Sequence, residues 1–258
     1  MEFGNKVALI TGATGSIGKE TARRIVQEGG KVFVTDLDQA KVNAALKDIG
    51  GDCQGLAADV TKLEAVSAVV TACQKAFGGR IDVLVNVAGT SGKGSKIEDI
   101  TESEWDFIYA VNVKGTFFFI KQVLPIMKAQ GSGAVVNFSS KSGKTGSALM
   151  SAYSSAKGAI ITLTQAVAYE TAKLGIRINC VCPGVTEATG VWAHVSADYV
   201  NNMKMPMEDI VKTFVAKVPM GRLAHIDDVV NAACFLASDR SAYMTGQAVN
   251  VTGGREMH

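Results

Sequence analysis

Short apolar runs alternate with longer amphipathic stretches along this chain. Runs at 7–11, 32–35, 53–57, 83–85, 134–138, 176–181 and 248–251 carry β-branched residues and close on Gly, Asp, Asn or Ser, as strands do. Between them, 17–29, 38–48, 62–77, 103–129, 151–174 and 226–237 repeat apolar residues at helical spacing. Thr61, Thr101 and Ser151 stand where N-caps are expected, and Thr101 with Glu104 has the spacing of a capping box. Strands that are apolar throughout imply a sheet covered on both faces, and strand–helix alternation implies parallel pairing. The expected architecture is α/β: a doubly wound parallel sheet, one domain over 1–258, with its ligand site at the carboxyl ends of the strands. Residues 185–222 leave the pattern, being rich in Met, Val, Ala and Asn with weak helical signal. They read as a lid over the substrate or as a surface insertion.

Composition narrows the classes. A chain of 258 residues without a composition break favours one large domain. Twenty-six basic against 24 acidic side chains give a formal charge of +2, which points to no nucleic-acid or membrane partner. No apolar run approaches the ~20 residues of a membrane span, and the start reads into a strand rather than a secretory leader. The five cysteines are scattered, and Cys180-x-Cys182 has no second ligand pair at a suitable spacing. Buried thiols in the cytoplasm, and no metal site, are the expectation.

Candidate chemistry starts at the first strand-to-helix junction. There Gly12, Thr14, Gly15, Ser16, Ile17 and Gly18 form a glycine-rich turn, whose backbone can approach a pyrophosphate held by a helix N-terminus. The second strand ends at Asp36, followed by Leu37, where a carboxylate can accept from both adenosine ribose hydroxyls. A carboxylate there repels a 2′-phosphate, and no Arg or Lys lies within 12–18, so NAD is expected over NADP. The competing readings are that Asp36 caps the next helix or pairs with Lys31.

Tyr153 and Lys157 lie four residues apart, on one helix face. A free phenol, with pKa ~10, is a poor base at neutral pH, and a nearby cation favours its ionised form. Lys157 can also hold the nicotinamide ribose. Ser140 ends the preceding strand, where its hydroxyl can donate to a substrate oxygen beside Tyr153. Asn112 can bind a water relaying protons from Lys157, or it can be an amide that steadies a helix kink.

The ordered set Thr11–Gly18, Asp36, Asp59-Val60, Asn86–Gly89, Asn112, Ser140, Tyr153, Lys157 and Pro183-Gly184 resembles the short-chain dehydrogenase/reductase family along the whole chain. The resemblance implies a Rossmann-type domain, a homotetramer or homodimer, and a Ser–Tyr–Lys site assisted by Asn. Carried over by position, Tyr153 is the acid/base, Ser140 orients the substrate oxygen, Lys157 tunes Tyr153 and Asn112 supports the relay. Asp59 with Val60 would meet the adenine, Asn86, Ala88 and Gly89 the cofactor-side backbone, and Pro183 and Gly184 the nicotinamide. Two positions depart from the family's pattern. Ser16 stands where glycine is usual, and Ala188 where a threonine often reaches the nicotinamide amide; Thr186 or Thr189 is the substitute.

The stretch from Ser139 to Gly146 and the ending from Tyr243 to Gly254 resemble the sorbitol-6-phosphate 2-dehydrogenase or sugar-alcohol branch of that family. Lys141, Ser142 and Lys144 would suit a polyol or its phosphate, unless the lysines face solvent or a neighbouring subunit. Lys93 and Lys96 are a second basic pair, for phosphate or for solvent. Within the excursion, Glu187, Trp192, His194 and Lys204 are candidate substrate contacts. The expected activity is NAD-dependent interconversion of a secondary alcohol and a ketone in a small-molecule substrate. The alternatives are a reductase of small diketones, cyclic ketones or hydroxysteroids, and a non-catalytic dinucleotide-sensing regulator on the same fold.

Overall fold

The computed structural model describes the backbone of residues 1–258 and all side chains except those of Tyr199, Asn201, Asn202 and Met203. Its centre is a parallel sheet of β1 (Val7–Thr11), β2 (Lys31–Thr35), β3 (Cys53–Gly55), β4 (Val83–Asn86), β5 (Gly133–Phe138), β6 (Ile176–Pro183) and β7 (Ala248–Val251). The strand order is β3-β2-β1-β4-β5-β6-β7. The connection from β1 runs to β2 on one side and that from β3 crosses to β4 on the other, which opens a crevice where β1 and β4 end side by side.

Alternation along each strand sends successive side chains to opposite faces, and both faces are dry. Ala8 and Ile10 belong to one buried cluster, with Ala22, Ile25, Val230 and Ala233. Val7 and Leu9 belong to the other, with Val66, Val70, Phe119 and Met127. Each fully buried Ile, Leu or Phe of this kind contributes about 1.5–3 kcal/mol. The first cluster is roofed by α1 (Ser16–Gln27), α2 (Gln39–Ile49) and α10 (Ile226–Ala237), the second by α3 (Leu63–Ala76), α5 (Gly115–Gln130) and α7 (Ser151–Thr171). This is the doubly wound single domain that the hydrophobic pattern predicts.

The boundaries differ from expectation in instructive places. The third strand is regular only to Gly55 rather than 57, although the Leu56 and Ala58 amides still donate to Val34 O (3.2 Å) and Asp36 O (2.8 Å) beyond it, while the outward Ala57 amide donates to Gln39 Oε1 (2.8 Å). Helix α3 is capped by Lys62 without a side-chain bond, since the Thr61 hydroxyl donates to Asp59 (2.7 Å). Ser151 lies inside α7, its buried hydroxyl without a partner among the described residues, so it is not a cap. Thr101 does cap α4 (Glu102–Tyr109), but Glu104 accepts from the Lys93 amide (3.1 Å), so the capping box is half used. The expected continuous helix over 103–129 is interrupted between α4 and α5 by a π-turn, Ala110–Lys114. A short α6 (Ser142–Thr145) precedes α7, and the 185–222 excursion folds as α8 (Gly190–Met203) and α9 (Met207–Val215).

Candidate active site

The carboxyl ends of β1, β2, β4, β5 and β6 open into one cavity of about 760 Å³. Gly12 turns the chain away from β1 with φ +66°, and a Cβ there would lie 2.7 Å from the Ala88 amide nitrogen. A Cβ on Gly18 would lie 2.4 Å from the Gly12 carbonyl oxygen. These two positions therefore need glycine, one for its φ and both for space. The turn delivers the N-terminal end of α1, with its free amides, to the cavity wall. Thr11 Oγ1 accepts from Ala88 N (3.1 Å), locking this turn to the loop after β4.

At the far end, Asp36 is partly exposed on the cavity wall. Its Oδ2 accepts from Thr14 N (2.9 Å) and Thr14 Oγ1 (2.7 Å), and its Oδ1 from Leu37 N (2.8 Å). It does not cap α2, which Asp38 does, nor does it pair with Lys31, which meets Asp52 at 3.6 Å. Leu37, Asp59, Val60 and Thr61 complete that end, and among the described residues no Lys or Arg lines it. The glycine cradle, the helix N-terminus and this carboxylate fit a dinucleotide.

The chemical end is built by β5, α6 and α7. Ser139 Oγ donates to Lys157 O (2.7 Å), seating α7 against the end of β5. A Cβ on Gly143 would come within 2.6 Å of the Lys157 backbone, so α6 crosses α7 at backbone contact. Tyr153 and Lys157 are both buried and share the helix face toward the cavity. The Tyr153 phenol is hydrogen-bonded to the Ser140 side chain, whose Oγ also accepts from Ser142 N (3.1 Å). Two hydroxyls thus converge where one substrate oxygen can meet both.

The electrostatics differ from the sequence expectation. Burial pushes the Tyr153 phenol up to about 12, with the Ser140 hydrogen bond opposing it. Burial pulls the Lys157 ammonium down to about 8, against nearby Cys180 and Cys182. Lys157 Nζ donates to Phe138 O (2.8 Å) and stands 5.7 Å from the Tyr153 ring centroid. In the protein alone desolvation outweighs the Ser140 hydrogen bond, and Tyr153 is held as a proton donor at neutral pH.

Asn112 is buried in the π-turn. Its Nδ2 donates to Thr90 O (2.8 Å) and Ile108 O (2.9 Å), and its Oδ1 accepts from Thr90 N (3.3 Å). A Cβ on Gly89 would sit 2.7 Å from Asn112 Oδ1 and 3.2 Å from Lys157 Nζ, so these three groups adjoin. The amide side chain thus ties the π-turn to the Thr90 loop, next to Lys157.

Of the other expected residues, Ser16, Ile17, Ala88, Gly89, Pro183, Gly184, Thr186, Lys141, Ser142 and Trp192 line the cavity. Asn86 does not: its Nδ2 donates to Asn137 Oδ1 (2.9 Å) within the sheet. Lys144 turns away, donating to Ala248 O (2.8 Å). Glu187 is outside the lining, held by the His225 ring. Lys141 Nζ reaches Gly146 O (3.2 Å) and Glu256 (3.8 Å). Lys93, Lys96 and Lys204 are exposed and off the cavity, whereas His194 lines it. The sequence reading missed Phe107, Met150, Val191, Val195 and Phe214 on the wall. Met150, one helical turn before Tyr153, was the one with a positional signal; Phe214 had none. Among the described residues, no group of three or more His, Cys, Asp or Glu is placed to hold a metal, and no helix is long and apolar enough to cross a membrane.

A crevice at the switch point of a parallel sheet, ending in a buried Tyr–Lys pair beside a half-buried Ser140, defines a dinucleotide-dependent oxidoreductase. A family model described as Enoyl-(Acyl carrier protein) reductase matches residues 12–256. Galactitol 2-dehydrogenase of Agrobacterium fabrum is 37% identical over 258 residues, covering 100% of both chains. An actinorhodin polyketide ketoreductase variant solved with NADPH superposes with a TM-score of 0.93, at 34% identity over 98% of each chain. NAD+-bound xylitol dehydrogenase superposes with a TM-score of 0.92, at 31% identity over 98% of this chain and 100% of that one. The chain belongs to the short-chain dehydrogenase/reductase family. It is an oxidoreductase that interconverts a secondary alcohol and a ketone by hydride transfer with a nicotinamide dinucleotide.

Proposed function

We propose that the dinucleotide is NAD and the substrate a sugar alcohol or its phosphate. The observation that carries the substrate reading is the polar floor beside Tyr153: Ser140, Lys141, Ser142 and Ser147 line the cavity together, with Ser142 Oγ 2.9 Å from Ser147 Oγ. Such hydroxyls match the vicinal hydroxyls of a polyol, while the Lys141 ammonium is already engaged by Gly146 O and Glu256. NAD is favoured by the Asp36 carboxylate, with no cation among the described residues lining the cavity beside it to receive a 2′-phosphate. Galactitol and xylitol dehydrogenases among the similar proteins agree with the substrate part, and the NAD+-bound xylitol dehydrogenase with the cofactor part.

The roles follow from chemistry. Bound NAD supplies the hydride acceptor, and NADH the donor. Tyr153 Oη gives its proton to the carbonyl oxygen in reduction and takes the hydroxyl proton in oxidation. Ser140 Oγ donates to that same oxygen and stabilises its developing charge. Lys157 keeps a positive charge beside the phenol, and Asn112 holds the Thr90 loop against Lys157. Gly12–Gly18 cradle the diphosphate, Asp36 the adenosine ribose, Leu37, Asp59 and Val60 the adenine end, and Pro183, Gly184 and Thr186 the nicotinamide end. Helices α8 and α9 form the substrate lid.

An absorbance screen of sugar alcohols, their phosphates and small diols, with NAD and NADP in parallel, tests this. A preference for apolar ketones overturns the polyol reading. That second reading, a cyclic or steroid-like ketone, is favoured by Phe107, Met150, Trp192, Val195 and Phe214, which make the opposite wall apolar. A regulator without catalysis is excluded by turnover that Tyr153→Phe removes. We further propose a homodimer or homotetramer in the cytoplasm. Exposed Phe117 on α5 and Tyr169 on α7 support the first, and five free thiols suit a reducing compartment. Light scattering on the purified protein checks the assembly.

A further inference from the structure

The segment entering α8 is held from one side. Thr186 bridges Ala224 in parallel. Glu187 N donates to Ala224 O (3.0 Å), Ala224 N donates to Val185 O (3.0 Å), and the Glu187 carboxylate meets His225. Just beyond, Thr189 caps α8, its Oγ1 accepting from Trp192 N (3.2 Å). Ala188 is the residue between these two fixed pieces. Its φ is +56°, a left-handed conformation that alanine adopts only when its surroundings impose it.

One such constraint is Ser16, whose Oγ donates to Ala188 O at 2.7 Å. Ser16 is the first residue of α1, at the cradle. The two positions where this chain leaves the glycine–threonine pattern are therefore in contact with each other, across 172 residues of sequence. The far part of α8 is tied elsewhere: Asp198 Oδ2 accepts from Gly94 N (2.8 Å) in the loop after β4. Breaking the Ser16 bond therefore leaves, among the described residues, only the Thr189 Oγ1 bond to Thr186 O (2.9 Å) across the joint, while that second tie on α8 remains.

We propose that Ala188 is the hinge of α8 and that Ser16 is a positioning residue fastening this hinge to the diphosphate cradle, so that their hydrogen bond governs dinucleotide release. This rests on reading the cavity as a dinucleotide site. Ser16, Ile17, Thr186 and Thr189 all line the cavity. A diphosphate held by the α1 N-terminus would be bounded by this joint, and its release would need the joint to open. Loss of one neutral hydrogen bond changes such an opening equilibrium by about 3- to 10-fold.

The test compares wild type, Ser16→Ala and Ser16→Thr. Hydrogen exchange of amides 188–195, without dinucleotide, reads the hinge itself. Stopped-flow displacement of NADH and of NADPH, followed by their fluorescence, reads release. In Ser16→Ala, exchange at 188–195 rises about 3- to 10-fold while β1 stays protected, and dissociation accelerates by a similar factor. Ser16→Thr, which keeps the hydroxyl, restores both. Exchange unchanged in Ser16→Ala overturns the hinge, and faster exchange with unchanged dissociation overturns its control of release. A wild-type protein that binds neither nucleotide sinks the cavity reading instead, and the exchange rates alone then decide the hinge.

Discussion

The two walls of the cavity are made of different material. The dinucleotide wall is mostly main chain: Gly12, Gly15, Gly18, Ala88, Gly89 and Gly184, at the ends of strands or just beyond. The opposite wall is side chain: Met150, Trp192, Val195 and Phe214, carried by α8, α9 and the approach to α7. Main chain at strand ends is positioned by sheet register, so it can serve one invariant ligand. Side chains on helices outside the sheet can be exchanged without disturbing that register. The contrast explains why a chain can declare its cofactor class openly and its substrate faintly.

Substitutions on each side sharpen the contrast. The largest effect is expected from Tyr153→Phe, which removes the shuttling proton and keeps the ring: turnover falls by about 10³-fold, while NADH affinity measured by fluorescence titration stays within a factor of about three. Comparable loss of NADH binding would mean the walls are not separable. Next is Lys157→Met. Because the folded protein holds the Lys157 ammonium at about 8, against 10.5 ordinarily, the folded state binds fewer protons than the unfolded one between those values. Wild-type stability should therefore rise relative to the variant as pH increases through that window, by on the order of 3 kcal/mol. Urea denaturation of both proteins at several pH values checks the difference, and parallel curves refute it.

On the main-chain wall, Gly12→Ala combines a positive φ with a Cβ pressed on the Ala88 amide. It should cost about 2 kcal/mol of stability and weaken NADH binding at least tenfold; calorimetry and titration report both. Asp36→Asn keeps the shape and removes the charge, and the NAD-to-NADP preference in kcat/KM should fall by about tenfold. The mildest change is Trp192→Ala, which opens the space beside Phe214, to which it packs edge-on at 5.4 Å. KM for the favoured substrate should shift by about 3- to 10-fold with NADH affinity unaltered. An altered NADH affinity would tie the two walls together.

How far the residues foretold this follows the same division. The strands were readable because Val7–Thr11 and Ile176–Pro183 are covered on both faces, which leaves no room for polar alternation. The glycine turn and the Tyr153–Lys157 pair were readable because their spacing alone sets their geometry. Lys144 was not, because whether it meets substrate or Ala248 O depends on where β7 lies. Glu187 was not, because its partner His225 is 38 residues away. The raised phenol of Tyr153 was not, since the number of desolvating neighbours is a property of packing.

The π-turn at Ala110–Lys114 has a consequence for how this scaffold can be altered. Such a turn houses one surplus residue, absorbed locally, so the helices before and after it keep their facings. Excising a single residue there should give an uninterrupted spiral, with Ile108 and Phe119 still pointing inward and the rod sturdier than before. The amide grip on the Thr90 loop would vanish with the surplus. Here the protein keeps a weaker rod for the sake of a better-held loop, and a shortened chain that melts later yet works worse is its natural signature.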